Sequence, residues 1–239
     1  MHSVKLTSLF LSFSILLLGT IGGWLFALKG IGHEEGAEFL KFGLCFSSIL
    51  FLSKLSIYSK AKNFLFYQLL FISGFGIELA WFLSCFFLPL LWLHTVDIIV
   101  RMISFCIYIS ICIGNILFAF KEFERMWDAT DAIDFEKKIK STENRAKQNE
   151  IFERIAIPAV IYIPGFPNRY IDLVSVVLFI FLVVGFSVRG NYPVLSMAAL
   201  GITFSVCAAC LLQISVYRIL EARKILAFEK GESLRIASV

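Results

Sequence analysis

Residues 105–120 read FCIYISICIGNILFAF, and residues 121–157 read KEFERMWDATDAIDFEKKIKSTENRAKQNEIFERIAI. The first run carries no charge. The second, Lys121–Ile157, holds eight Lys or Arg and nine Asp or Glu. Neither glycine nor proline stands at the switch, so the helix that closes the apolar run is expected to continue into the charged one. Phe120, Phe123 and Trp127 keep helical spacing, as do Met126 with Ile133 and Phe135 with Ile139. Ser141, Thr142 and Glu143 form a break and a fresh N-cap, and Phe152 and Ile155 return the chain to apolar surroundings. The segment is therefore expected to be a water-facing arm of two antiparallel helices between apolar helices.

The remainder of the chain agrees with that contrast. It is 239 residues long, 59% hydrophobic and 17% charged, with a mean hydropathy of +0.83. Soluble domains are about 25% charged, so lipid has to be the solvent for much of this surface. About 20 apolar residues cross a bilayer core as a helix. Six stretches qualify: Leu6–Leu28, Phe39–Tyr58, Phe64–Leu93 (overlong, and so tilted or kinked near Pro89), Val96–Phe120, Tyr170–Val188 and Pro193–Tyr217. No segment alternates with period two, which argues against a barrel. The fold class is an all-α integral membrane protein of about six spans with a cytoplasmic helical extension between spans 4 and 5. Its parts are a four-helix region 1–120, the arm 121–157, an interfacial turn plus two spans 158–217, and a tail 218–239.

Lys and Arg set the orientation. Lys60 and Lys62, the arm, and the tail with Arg218, Arg223, Lys224, Lys230 and Arg235 are rich in cations, and the other loops are poor. Both termini and the arm are thus expected on the cytoplasmic side, with the bacterial inner membrane as the expected location. The apolar N-terminal run is too long for a signal h-region and no A-x-A site follows, so it is read as a retained span. Net charge is +4 without a basic run, which gives nucleic acid little to bind.

Ionisable groups inside spans are functional hypotheses by default. Glu78 lies deep in span three, and Arg101 is expected at similar depth on span four. A Glu78–Arg101 pair would offset the cost of burial, unless Asp97, four residues before Arg101, takes it instead. Lys54 stands one turn from the cytoplasmic end of span two, where its amine can reach the headgroups, so it is assigned no role. Asn115 and Gln213 are polar groups able to bond across helices. Small residues recur every fourth position as Gly19, Gly23 and Ala27, as Gly76, Ala80 and Ser84, and as Gly201, Ser205 and Ala209. Such stripes bring helices close in lipid, within one chain or between copies. Ile157–Pro167 contains three prolines and is too short to span. It is expected at the interface or tucked in under cover of protein, as a connector or as a gate.

Six cysteines all sit in apolar runs. Cys207 and Cys210 spell C-x-x-C, either a thiol redox site or small residues in a packed helix. Three scattered histidines offer no metal spacing, and Asp128, Asp131 and Asp134 lack the glycine of a calcium loop. No phosphate loop or nucleophile elbow is present. No catalytic residue, metal or cofactor is expected.

No motif identifies a family. As an architecture, a membrane body with a modest cytoplasmic arm is similar to the membrane subunits of small bacterial complexes, among them two-gene phage-defence systems such as Kiwa. That resemblance implies a soluble partner. The expected function is a non-enzymatic scaffold or sensor subunit. It would self-associate through its small-residue stripes and dock a soluble cytoplasmic protein on Phe123, Trp127, Ile133, Phe135, Ile139 and Phe152. The alternatives are a small channel or transporter using Glu78 and Arg101, and a thiol redox enzyme using Cys207 and Cys210.

Overall fold

The computed structural model describes residues 2–30, 32–60, 64–92, 94, 96–129, 162–163 and 170–231, with side chains described for 6–28, 32–58, 70–92, 94, 96–125, 162–163 and 170–223. Most of the expected arm, including Trp127, Ile133, Phe135, Ile139 and Phe152 as side chains, lies outside the described residues. So do the tail beyond Gly231 and most of Ile157–Pro167.

The described chain is all helical: α1 (His2–Gly30), α2 (His33–Lys60), α3 (Phe64–Ser84), α4 (Ile98–Ala129), α5 (Ile171–Ser187) and α6 (Pro193–Gly231). A 3₁₀ turn, Leu88–Trp92, joins α3 to α4. Four helices contain a stretch long and apolar enough to cross a membrane: Leu6–Leu28, His33–Tyr58, Ile98–Arg125 and Pro193–Arg223. The apolar segments of α3 and α5 are shorter. The outward faces agree with lipid as their solvent. Phe10, Leu18, Ile49, Leu52, Ile103, Leu117, Phe179 and Phe186 are all exposed.

Local sequence explains the breaks. Gly32 adopts φ 144, a conformation that favours glycine, and reverses the chain between α1 and α2. The run expected as one overlong span, Phe64–Leu93, divides instead. Helix α3 stops at Ser84, and the amides of Phe86, Phe87 and Leu90 bond three residues back, to Leu83, Ser84 and Phe87. The shorter step tightens the chain into 3₁₀ geometry, and Pro89, lacking an N–H, sits at the start of that turn. Pro193 is the first residue of α6, where its fixed φ suits a helix start. The sixth span and the tail as far as Gly231, expected as two pieces, form one helix.

Helix α6 is the hub. It packs against α3, α4 and α5, while α2 packs chiefly on α1. Leu211 and Ser215 meet Gly76 of α3. Val216, Tyr217 and Leu220 meet Ala119 and Phe123 of α4. Ser196 Oγ donates to Gly185 O at 2.7 Å and Thr203 Oγ1 to Leu178 O at 3.1 Å, joining α6 to α5. A buried apolar cluster of Leu16, Phe39, Trp81, Cys85, Phe87 and Leu88 fills the end with the 3₁₀ turn.

The small-residue stripes are consumed within this packing. A Cβ on Gly23 would lie 2.7 Å from Cys85 O, and one on Gly19 would lie 2.9 Å from Phe82 Cα. A Cβ on Gly76 would collide with Ser215 Oγ, and one on Gly201 would lie 3.2 Å from Phe87. Ala27, Ala80, Ser84, Ser205 and Ala209 are buried as well. Close backbone approach over small residues yields the contact area that lipid cannot supply.

Candidate functional site

Glu78 is 2% exposed and Lys54 6%. Lys54 Nζ donates to Glu78 Oε1 at 2.7 Å and also to Ser12 Oγ. Three helices, α1, α2 and α3, therefore converge on one ammonium group. The rings of Tyr58 and Phe71 stand 5.4 and 5.5 Å from it, close enough for cation–π attraction. Gly74 leaves room for the lysine stem; a Cβ there would be 3.2 Å from Lys54 Cε.

The expectation that Lys54 snorkels is thus overturned, and the reason is directional. Every Cα–Cβ bond tilts toward its helix N-terminus. Lys54 stands near the C-terminal end of α2, so its side chain leans away from the nearer end and into the body. Glu78 lies on α3, which runs the opposite way, and leans back toward the charged end. The two tilts bring amine and carboxylate to one level. A buried pair of this kind needs further bonds to offset desolvation. Ser12 supplies one for the amine, while Glu78 Oε2 has no hydrogen-bond partner among the described residues.

A second polar knot lies along the same helices. Thr20 Oγ1 and Ser47 Oγ share a hydrogen bond at 2.8 Å, and Trp81 Nε1 donates to Ser47 Oγ at 3.0 Å. It links α1, α2 and α3 again. Neither knot is readable from spacing, because its members are single residues on separate helices.

Arg101 is elsewhere. Its Nη1 donates to Leu91 O at 3.1 Å, at the end of the 3₁₀ turn, where carbonyls are left without helical partners. Asp97 accepts the Ile99 amide at 2.7 Å and so caps α4. Neither Glu78 nor Asp97 is an ion-pair partner of Arg101 among the described residues.

Asn115 Nδ2 donates to Ile111 O at 2.8 Å and to Tyr162 O at 2.7 Å. The Tyr162 ring stacks on Phe118 with centroids 4.7 Å apart. Tyr162, within the proline-rich stretch Ile157–Pro167, thus touches α4 a turn and more before the first charged residue, Lys121. Asn115 satisfies there a backbone carbonyl that apolar surroundings would leave unbonded. Gln213 is fully buried.

Phe123, expected on a docking face, is 3% exposed and packs inside the chain beside Ala119 and Tyr217. The first turns of the expected arm therefore form a seam with α6. Glu122–Arg125 and Arg218–Glu221 ion pairs flank it, the latter at 2.8 Å. Cys207 is exposed on α6 and Cys210 half-buried, and all six thiols are free. A comparison with family models finds no match to this chain, and comparisons with curated proteins and with solved structures find none either.

Proposed function

We propose that the chain is a non-enzymatic, multi-pass membrane subunit that holds a charged arm and tail at one face for a soluble partner. The observation that carries this reading is the Lys54–Ser12–Glu78 cluster. The deepest acid of the body is paired and enclosed by three helices, and Arg101 is bound at the other end. An enclosed, paired cluster of this kind supports a stiffened body rather than a path for ions. The exposed position of Cys207 likewise offers a thiol redox centre no enclosing site.

In this reading all six helices cross. Helix α3, 21 residues long, extends about 31 Å, against a core of about 30 Å. Helix α5 has 17 residues, or about 25 Å, and returns to α6 through the tight turn at Val188–Tyr192. The cation-rich ends, both termini and the arm then face the cytoplasm, with the bacterial inner membrane as the compartment. A two-component assembly of the defence type fits this plan. Association between copies would use the outward faces of α2 and α4, since the small-residue stripes are occupied within the chain.

The test is to replace residues 131–150 by a short Gly/Ser linker, which spares the packed turn around Phe123, and to purify both forms from native membranes. Loss of a co-purifying soluble protein from the shortened form is expected. An unchanged set of co-purifying chains would overturn the docking role.

A further inference from the structure

Gln213, Tyr217 and Glu221 follow one another at helical spacing on α6 and are 0%, 3% and 4% exposed. On α4, Asn115 is 1% exposed. Tyr217 meets Ala119 and Phe123. Phe87 lies against both Gly201 of α6 and Tyr108 of α4, so the two helices run parallel. One turn back along each from the Tyr217 contact sets Asn115 level with Gln213.

The polar groups of this seam are only partly satisfied by the described residues. Among the described residues, Glu221 Oε1 and Asn115 Oδ1 have no hydrogen-bond partner, and the Gln213 amide has none beyond the neighbouring Tyr217 hydroxyl, which leaves it spare donors and acceptors. The Gln213 amide lies beside the Tyr217 hydroxyl, with Glu122 and Arg125 near enough to act on it electrostatically. Buried polar atoms in folded proteins are bonded almost without exception, to protein or to ordered water. The Asn115 amide nitrogen is already engaged with Ile111 and Tyr162.

We infer that this seam is a hydrated site, and that its ligand is a small cluster of water bonded by Asn115, Gln213, Tyr217 and Glu221. The donor set selects water over a cation. It consists of two neutral amides, a hydroxyl and one carboxylate already neutralised by Arg218, which leaves no net negative charge to hold an ion. Several convergent polar groups are what an internal water needs. The site reaches from Glu122, at the charged end, to the Asn115–Tyr162 bond, about 10 Å for seven helical residues. The helices that carry arm and tail therefore meet over water.

Radiolytic hydroxyl footprinting of the full chain in lipid nanodiscs tests this, because radicals form at bound water. Tyr217 is expected to label several-fold faster than Tyr108, which is less buried but bonded to Ser84 at 2.6 Å. Equal or slower labelling of Tyr217 overturns the site. Gln213→Leu gives a second measurement on the same preparation. Removing a water-bonded amide is expected to lower the melting temperature and slow Tyr217 labelling. A variant that melts at or above the parent overturns the site too, since a dry, unbonded amide gains by becoming apolar.

Discussion

The seam joining α1, α2 and α3 and the seam joining α4 to α6 both bury polar groups, and they treat them in opposite ways. In the first, Lys54, Ser12, Thr20, Ser47 and Trp81 find partners on neighbouring helices. In the second, Glu221 Oε1, Asn115 Oδ1 and part of the Gln213 amide are left without partners among the described residues. An apolar solvent makes each unsatisfied group costly, so a polar residue kept in a span either knits helices together or marks a place where something else enters. The first seam is closed largely by its own chemistry, with Glu78 Oε2 and Ser8 Oγ the exceptions among the described residues. The second is completed from outside, and it lies under the two helices that leave the body.

The sharpest way to break that contrast is to remove half of the charge pair. Lys54→Met leaves Glu78 buried without its cation and is expected to cost about 3–5 kcal/mol of stability. Lys54→Met with Glu78→Leu replaces both by apolar groups and is expected to recover to within about 1 kcal/mol of the parent or better. Thermal melting of the purified protein in lipid checks both. A harmless Lys54→Met would mean that the amine lies among headgroups, and the closed seam would lose its centre.

Next in size is Ser47→Ala. It strips Thr20 and Trp81 of a shared partner and is expected to cost about 1–3 kcal/mol, since the buried Trp81 N–H is left without an acceptor while Thr20 keeps only Gly43 O at 3.4 Å. An effect below the error of the melting curve would show that the knot is slack. The smallest effect is expected for Arg101→Met. That side chain is partly exposed and makes a single bond to Leu91 O, so about 1 kcal/mol is at stake. A loss as large as that of Lys54→Met would imply an ion pair involving Arg101 that the geometry does not contain.

The periodicity of the chain made its all-helical character and its long apolar helices legible, because both follow from residue type and run length. The small-residue stripes were legible as contacts, but their location was not. Only the fold brings Gly76 to Ser215 and Gly23 to Cys85, and a stripe reads the same whether its neighbour belongs to this chain or another. The partner of Glu78 was missed for a geometric reason. Counting residues from span ends gives depth for Cα atoms, whereas the lean of each Cβ along its helix decides which side chains meet. Lys54 looked like a boundary residue by count and is an interior one by direction. Phe123 was misplaced because an aromatic residue at helical spacing among charges fits a docking face and a two-helix seam equally well. Its neighbour Tyr217 lies 94 positions along the chain.

Helix α6 holds 39 residues without a break, which is about 58 Å of continuous helix. Gly231 lies fourteen residues beyond Tyr217, or about 21 Å. Such a length acts as a lever with its fulcrum at the α4 contact. A tilt of about 10° there swings the far tip by about 4 Å, so a small rearrangement inside the body becomes a displacement large enough to open or close a contact at the charged face.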